Sequence, residues 1–173
     1  MIKMAALKTA FESIGFSKVE TYIQSGNVVF LPGDKTLATG KSGISPEQHL
    51  ANIISQQIQS VFGLQIPVLV VSATALQSIL QNNPWLAKPD QFDVNHFHVT
   101  LFGEPKSSIP ITVELGDNSI AWGDGCLYLN CPNGYSNCKV TNNWLETKLK
   151  TTCTTRNWKT LQTLLAMSIN ILK

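Results

Sequence analysis

The segment TYIQSGNVVF, residues Thr21 to Phe30, decides the fold of this chain. Both ends of the segment are rich in β-branched and aromatic residues, which favour β-strands. Between them, Ser25-Gly26-Asn27 has the composition of a tight turn. The segment therefore predicts a β-hairpin, with strands from Val19 to Gln24 and from Asn27 to Leu31, on which we expect the core to be built.

Helical patterns lie on both sides of this hairpin. Apolar residues recur at steps of three and four from Ile2 to Ile14, which predicts an amphipathic helix. Further on, Ser45-Pro46 is typical of a helix N-cap and first helical residue, and Gly63 predicts the end of that helix. The continuous apolar run from Val68 to Val71 predicts a buried strand, and a third helix is expected to end near Gln81.

The second half of the chain predicts a small sheet and two helices. His96 to Phe102 alternates apolar and polar residues, as a strand with one buried face does. Ser119 to Trp122 and Cys126 to Asn130 flank a Gly-Asp-Gly turn, which indicates a hairpin. Two helices are predicted near the C-terminus, from about Cys138 to Lys148 and from about Arg156 to Ile171.

The order of these elements predicts an α+β fold in two related halves. Helix-strand-strand-helix-strand is a split βαβ unit without its first strand, and the second half is similar to such a unit with a decayed first crossover. A chain of 173 residues allows one compact domain or two small ones. We expect the junction between Asn82 and Asn95, and the domains at 1–84 and 85–173.

Composition and charge indicate a globular protein with a basic C-terminal part. The chain is 43% hydrophobic and 14% charged, and no run approaches the roughly 18 apolar residues that span a bilayer. We therefore expect a cytoplasmic protein with no membrane partner. Of the net charge of +2, residues 136–173 carry +5 and the first 135 carry −3. This asymmetry suggests an anionic partner, with a solvated helical face as the alternative.

The four cysteines all lie in the last third of the chain: Cys126, Cys131, Cys138 and Cys153. They contain no C-x-x-C pair, and this spacing is a poor match to a zinc site. His96 and His98 lie two residues apart on a predicted strand, but no third metal ligand has a suitable spacing. We expect free thiols and no metal or cofactor, with a ligand or redox role of the cysteines as the alternative.

Three segments together resemble the uncharacterised bacterial domain-of-unknown-function family sixteen-ninety-seven, DUF1697. The three segments are TYIQSGNVVF at 21–30, Pro132-x-Gly134 with Lys139-Val140-Thr141-Asn142, and Thr154-Thr155-Arg156-Asn157-Trp158. Their order and separation also fit the family, and the resemblance covers nearly the whole chain. It implies two tandem ferredoxin-like α/β plaits and no established activity.

The chain departs from the family pattern in two places. Family members usually begin with a strand and a loop similar to R-G-I-N-V-G-G, and this sequence starts at the helix that follows them. The first strand of a ferredoxin-like sheet is central, so we expect either a truncated chain or a sheet edge covered by another segment or by a homo-oligomer. Ser136 and Cys138 stand where the family tends to have Gly and Ser, which weakens the case for an anion site that uses those groups.

A candidate anion site centres on Arg156, the single arginine of the chain. It is flanked by Thr154, Thr155 and Asn157 at the predicted start of the last helix, with Lys139 expected nearby. The N–H groups of a helix start, hydroxyl groups and a guanidinium together suit an anion. The alternative is an N-cap, in which either threonine caps the helix and Arg156 pairs with a carboxylate or carbonyl group.

The hairpin turn contributes two further candidates, Gln24 and Asn27. The turn needs Gly26 for its backbone conformation, whereas it has no evident need for Gln24. We expect a structural hydrogen bond from Gln24, with a ligand contact as the alternative. Lys139 and Asn142 lie at helical spacing and face either the same ligand or water.

Two classes of function remain, because the sequence contains no recognisable nucleophile–base pairing or metalloprotease motif. The first is a binding module for a small anionic or phosphorylated ligand; nucleic acid is a weaker version, since no RNP-like sequence is present. The second is an enzyme acting on a small anionic substrate at the junction of the two halves. It would use Arg156 and Lys139, with His98 or a cysteine for proton transfer, and fold analogy does not decide between the classes.

Overall fold

A computed structural model describes residues 2–37, 43–104 and 108–173, and in these the fold is mixed α+β with two antiparallel sheets. The elements in chain order are α1 (Met4–Ser13), β1 (Ser17–Tyr22), β2 (Asn27–Leu31), α2 (Asp34–Leu37), α3 (Pro46–Phe62), α4 (Ala73–Gln81), β3 (Phe97–Phe102), β4 (Ser119–Gly123), β5 (Cys126–Asn130), α5 (Asn142–Leu149), β6 (Cys153–Asn157) and α6 (Trp158–Asn170).

The chain forms two compact units. The first comprises Met1–Ala73 with Thr163–Lys173, and the second comprises Thr74–Gln162. Residues 74–84 thus group with the second unit and the last turns of α6 with the first. The domain division at 84 and 85 stays a prediction.

The predicted hairpin is confirmed by the pairing of β1 with β2. The strands are antiparallel, with Tyr22 opposite Asn27. The turn between them is a 3-10 helix, Ile23–Ser25, followed by Gly26 at φ 76°, a left-handed conformation that glycine adopts without steric cost. Gln24 therefore belongs to the turn and not to the first strand.

The predicted ends of α3 are also confirmed. The Ser45 hydroxyl accepts a hydrogen bond from the backbone N–H of Gln48 at 3.1 Å, and Pro46 is the first helical residue. Gly63 follows the helix at φ 67°, where its N–H donates to the Gln59 carbonyl. Local chemistry fixes both ends of this helix.

The core of the first unit lies between α1, the hairpin and α3. Leu7, Phe11, Val19 and Ile54 are buried in one apolar cluster. Phe16, which links α1 to β1, is also buried there and stacks on Phe30 of β2, with ring centroids 4.5 Å apart. The amphipathic pattern of α1 is thus explained by its packing on the hairpin.

The predicted strand at Val68–Val71 is wrong, because residues 63–72 form no strand. Val68 and Val70 nevertheless pack against the apolar cluster of the first unit. These valines are half-buried, and packing against a core does not require the backbone partner that defines a strand.

The second unit is built on one antiparallel sheet of four strands in the order β4-β5-β3-β6. This confirms the three strands predicted between His96 and Asn130. The described residues between β3 and β4 contain no helix, in line with a decayed first crossover. β5 leads through a loop into α5, which returns to β6 at the sheet edge.

Both faces of this sheet are covered. On one face, Leu127 and Leu129 of β5 pack in an apolar cluster with Val140 and with Leu145 of α5. On the other face, Phe97 of β3 contacts the rings of two tryptophans, Trp85 and Trp158, at centroid distances of 5.5 and 5.7 Å. Tyr128 lies on this second face and donates a hydrogen bond to the Ile79 carbonyl of α4 at 2.8 Å.

The helix expected from Cys138 begins later, at Asn142. Tyr135–Asn137 form a 3-10 turn instead. The Thr141 hydroxyl then accepts a hydrogen bond from the Trp144 N–H at 3.3 Å and starts α5. Cys138 and Lys139 therefore lie in the loop before the helix, and the helical spacing of Lys139 and Asn142 is not realised.

Candidate functional site

The four residues of the candidate anion site lie on β6, so the expected helix start at Arg156 is wrong. Pairing with β3 keeps this segment extended: Thr155 lies opposite Thr100, and Arg156 lies opposite Val99. The helix starts only at Trp158. A strand cannot present the N–H groups of a helix start to a ligand, so the expected anion site lacks these backbone donors.

Strand geometry also divides the four side chains between two faces, because successive side chains of a strand point to opposite sides. Thr155 and Asn157 lie on the face that α5 covers. Thr154 and Arg156 lie on the opposite face and are hydrogen-bonded to each other. The sequence places these four residues together, but the sheet separates them into two pairs.

Asn157 is the N-cap of α6. Its Oδ1 accepts a hydrogen bond from the backbone N–H of Thr160 at 2.8 Å, the geometry of a capping side chain. The expected cap by Thr154 or Thr155 is therefore wrong, whereas the expected pairing of Arg156 with a carbonyl group is present, since the guanidinium donates to the Thr155 carbonyl.

Thr155 is the centre of a polar network between β6, β3 and α5. Its hydroxyl donates to Asn142 Oδ1 at 2.6 Å, lies 2.7 Å from the Thr100 hydroxyl, and accepts from the Tyr135 hydroxyl at 3.1 Å. A threonine hydroxyl has one hydrogen and two lone pairs. These three partners use that full capacity, so the Thr155 hydroxyl is occupied by the fold.

Arg156 and Thr154 form the pair on the other face. Nη1 of the guanidinium donates to the Thr154 hydroxyl at 2.6 Å and to the Thr155 carbonyl at 2.9 Å. Arg156 is half-buried, and burial lowers the pKa of the guanidinium from its ordinary value. Since the Thr154 oxygen accepts from Arg156, its own hydrogen is free to donate, and that hydrogen has no acceptor among the residues the structure describes.

Lys139 pairs with Glu114 at the surface. The two charged atoms are 3.1 Å apart, and the side chains are 61% and 81% exposed. An exposed pair of this kind contributes at most about 1 kcal/mol to stability. In the described part of the chain, neither a hydrogen bond nor an ion pair connects Lys139 to β6, so its expected place beside Arg156 has no support from these contacts.

His98 is the candidate for proton transfer. Its Nδ1 lies 3.1 Å from the His96 carbonyl, which only accepts, so Nδ1 carries the hydrogen and Nε2 the lone pair. The ring stacks on Tyr135 with centroids 5.2 Å apart, and burial lowers its pKa below the ordinary 6.5. His98 lies opposite Asn157 in the sheet, on the face away from Arg156.

The two turn candidates belong to the first unit. Asn27 is 8% exposed, and its Nδ2 donates to the Ser25 hydroxyl at 2.7 Å and to the Tyr22 carbonyl at 3.4 Å. Asn27 therefore holds the turn together. Gln24 is exposed, and the structural hydrogen bond expected from it is not formed within the described residues.

The four cysteines are free and buried. Burial raises the pKa of Cys126 to about 11 and that of Cys153 to about 12. In the part of the chain that the structure describes, no cluster of three or more His, Cys, Asp or Glu side chains could hold a metal ion. In the same part, no helix is long and apolar enough to cross a bilayer.

Sequence reasoning missed two members of the network around Thr155. Thr100 is fully buried within β3, and Tyr135 lies in the loop before α5. A polar residue in an apolar strand, as at Thr100, is the one signal for such a network, because a buried hydroxyl needs a partner. The partner itself follows only from the pairing of β3 with β6.

Comparison with known proteins places this chain in a family. The model of DUF1697, described as a protein of unknown function, matches residues 1–128. The chain belongs to this family, and the family resemblance of its sequence is confirmed. The matched residues include the TYIQSGNVVF segment and end before the segments that start at Pro132 and Thr154.

A solved structure supports the fold. The chain is similar to the structure of conserved bacterial protein SP0830 from Streptococcus pneumoniae, with a TM-score of 0.60 and 21% sequence identity over 97% of this chain and 89% of that chain. At this identity the similarity concerns the fold alone. No curated protein matches the chain.

Proposed function

We propose that this protein is a binding module for a small anionic or phosphorylated ligand, held by Arg156 and Thr154 on one face of β6. The observation that carries the proposal is the pairing of a half-buried guanidinium with a hydroxyl whose hydrogen has no acceptor in the described residues. Both groups lie on the same strand face and offer donors, as an anion requires.

The physical reason lies in the cost of burying a cation. Burial lowers the pKa of Arg156 because the charged form loses hydration. An anionic ligand would offset that loss. A charge-assisted hydrogen bond contributes about 1.5–3 kcal/mol, which corresponds to about ten- to a hundredfold in affinity.

The proposed site is smaller than the one expected from the sequence. Thr155, Asn157 and Asn27 use their polar groups within the fold, and Lys139 pairs with Glu114. The ligand contact of Gln24 stays a prediction that no contact of this residue supports. An enzyme that combines Arg156 with His98 is not supported, because the two side chains lie on opposite faces of the sheet.

Isothermal titration with inorganic phosphate and with pyrophosphate tests this proposal. Arg156→Lys keeps the charge but loses the planar fork, so we expect weaker binding that is partly retained. Thr154→Val keeps the side-chain shape and removes one neutral hydrogen bond, which corresponds to about a two- to tenfold loss. Thr147→Val is the matched control, because this threonine is exposed on α5.

Melting temperatures of the same variants separate binding from folding. If Arg156→Lys and Arg156→Ala lower the melting temperature but bind both probes as tightly as the parent protein, Arg156 serves only the fold. If neither probe binds the parent protein at millimolar concentration, the anion proposal fails.

The architecture proposed along with this function is that of two tandem ferredoxin-like α/β plaits, the first without its first strand. Supporting it, the order β4-β5-β3-β6 places the first strand of the second unit inside the sheet, and α5 connects β5 to β6. In the first unit, β1 and β2 form a two-stranded sheet. We propose a homo-oligomer that covers an edge of this sheet, since exposed strand edges favour pairing with another chain.

A further inference from the structure

The loop from β5 to α5 begins and ends with a buried cysteine. Cys131 and Cys138 are 1% and 3% exposed. Of the six residues between them, five are exposed and only Tyr135 is half-buried. The two thiols therefore lie directly beneath a short segment of surface loop, and neither serves the proposed anion site.

Consecutive turns fold the two ends of this loop together. The Gly134 N–H donates to the Cys131 carbonyl at 3.0 Å, the Asn137 N–H to the Gly134 carbonyl at 3.2 Å, and the Cys138 N–H to the Tyr135 carbonyl at 3.0 Å. Gly134 has φ 86°, which a residue with a side chain rarely adopts. As a result, the two thiols lie in the same buried apolar cluster, close enough for each to shift the pKa of the other.

This contact makes the two sulfur atoms chemically unequal. The interaction between the two thiols lowers the pKa of Cys138 and, together with burial, raises that of Cys131. A thiolate is the reactive form of cysteine, so Cys138 is the nucleophile of the pair. The other two thiols are held as neutral groups, because burial raises the pKa of Cys126 and of Cys153.

We propose that Cys131 and Cys138 are a redox modification site that closes to an intramolecular disulfide when a peroxide oxidises the protein. The Cys138 thiolate attacks one peroxide oxygen, which breaks the O–O bond, gives a sulfenic acid and releases hydroxide. The Cys131 thiol then attacks the Cys138 sulfur, the S–S bond forms, and water leaves. In total two thiols lose two electrons and two protons, and hydrogen peroxide is reduced to two waters.

Access to the thiols requires a local opening of the loop. The loop is held by three turn hydrogen bonds, by the Asn137 side chain and by the contacts of Tyr135 with Thr155 and His98, and it contributes no strand to the sheet. Segments of this kind open more readily than the sheet core. The disulfide would hold the loop closed and reduce the number of conformations that the unfolded chain can adopt. The oxidised protein should therefore melt at a higher temperature.

The test treats the folded protein with hydrogen peroxide, removes the peroxide, and alkylates the remaining thiols under denaturing conditions. We expect two of the four thiols to resist alkylation, a mass loss of two hydrogens, and a peptide that links Cys131 to Cys138. Dithiothreitol should restore four alkylated thiols. Cys126→Ser is the matched control and should leave the linked peptide unchanged, whereas Cys138→Ser should abolish it.

Peptide mapping of the parent protein does not depend on any variant, so the proposal can be tested even if Cys138→Ser fails to fold. Four alkylated thiols after peroxide treatment would overturn it. So would sulfinic acid at Cys138 without a linked peptide, or a linked peptide that contains Cys126 or Cys153.

Discussion

At the scale of single residues, the candidate site is governed by which hydroxyl groups the fold already uses. Thr155 and Thr154 are neighbours of the same type, yet among the described residues Thr155 has three polar partners and Thr154 has only the Arg156 guanidinium. The sequence predicts both as ligand-binding residues. It does not predict their different roles, because these depend on the strand that pairs with β6.

Replacement of Thr155 tests the role of its network. Thr155→Val keeps the shape but leaves the Thr100 hydroxyl without its acceptor, while the Tyr135 hydroxyl and Asn142 Oδ1 keep only their 3.5 Å contact with each other. Unsatisfied buried polar groups cost about 1–3 kcal/mol each, so we expect a loss of about 2–3 kcal/mol in the free energy of unfolding by urea. Thr147→Val, on the exposed face of α5, should change it by less than about 0.5 kcal/mol. Equal effects of the two variants would show that the network is not stabilising.

The burial of His98 predicts a pH dependence of stability. Its pKa is lowered in the folded protein by burial, which outweighs the opposite effect of the hydrogen bond with the His96 carbonyl. Below the ordinary pKa of 6.5 the unfolded chain therefore binds the proton more readily than the folded protein. The contribution of the neutral His98 ring to the free energy of unfolding is therefore fully present above pH 6.5. It is lost as the pH falls through the lowered pKa of the folded protein.

His98→Phe keeps a ring that can stack on Tyr135 and removes the titration. Between pH 7.5 and the acid range, the free energy of unfolding of the variant should fall less steeply than that of the parent protein. Proton NMR titration of the His98 ring in the parent protein should give a pKa below 6.5. A ring pKa at or above this value would contradict the burial argument.

At the scale of secondary structure, local chemistry predicted some element ends and failed at others. The Ser45 cap, Gly63 and the turn at Gly26 depend on residues a few positions apart, and all three agree with the sequence-based prediction. The starts of α5 and α6 and the strand at Val68 did not agree. The helix starts depend on which residue caps the helix, and the strands depend on partner strands that are distant in sequence. A local helical or apolar pattern carries no information about either.

The end of β6 is the element boundary that matters most for the site. Asn157→Ala removes the side chain that caps α6, and we expect a loss of about 1 kcal/mol in the free energy of unfolding. Asn157→Asp retains a capping oxygen and places a negative charge at the helix N-terminus, so it should restore most of that loss. Urea unfolding of the two variants against the parent protein gives the comparison. If Asn157→Ala weakens phosphate binding without changing stability, Asn157 contacts the ligand and the assignment as a cap is wrong.

At the scale of the whole molecule, the family and the α+β class followed from the sequence, whereas the predicted domain division stays open to experiment. Composition and element order indicate the class, and of the three segments that resemble the family, TYIQSGNVVF lies within the matched residues 1–128. The contact-based units differ from the predicted division in residues 74–84 and in the last turns of α6. A cytoplasmic location stays a prediction from the sequence.

The proposed homo-oligomer is a prediction at this scale. Sedimentation velocity across a range of protein concentrations should show a species above the 19.0 kDa monomer that dissociates on dilution. If the protein is a monomer at every concentration, the prediction of a homo-oligomer is wrong, and the proposal of an anion site is unaffected.

The central claim is that an anion binds at Arg156 and Thr154, and NMR titration of the amide signals with inorganic phosphate tests it most directly. At constant pH and ionic strength, with chloride as the control anion, the account predicts saturable shifts that are largest for residues 153–157 and that require more phosphate in Arg156→Lys. Shifts centred on Lys139 or Gln24, or shifts that chloride reproduces equally, would contradict it.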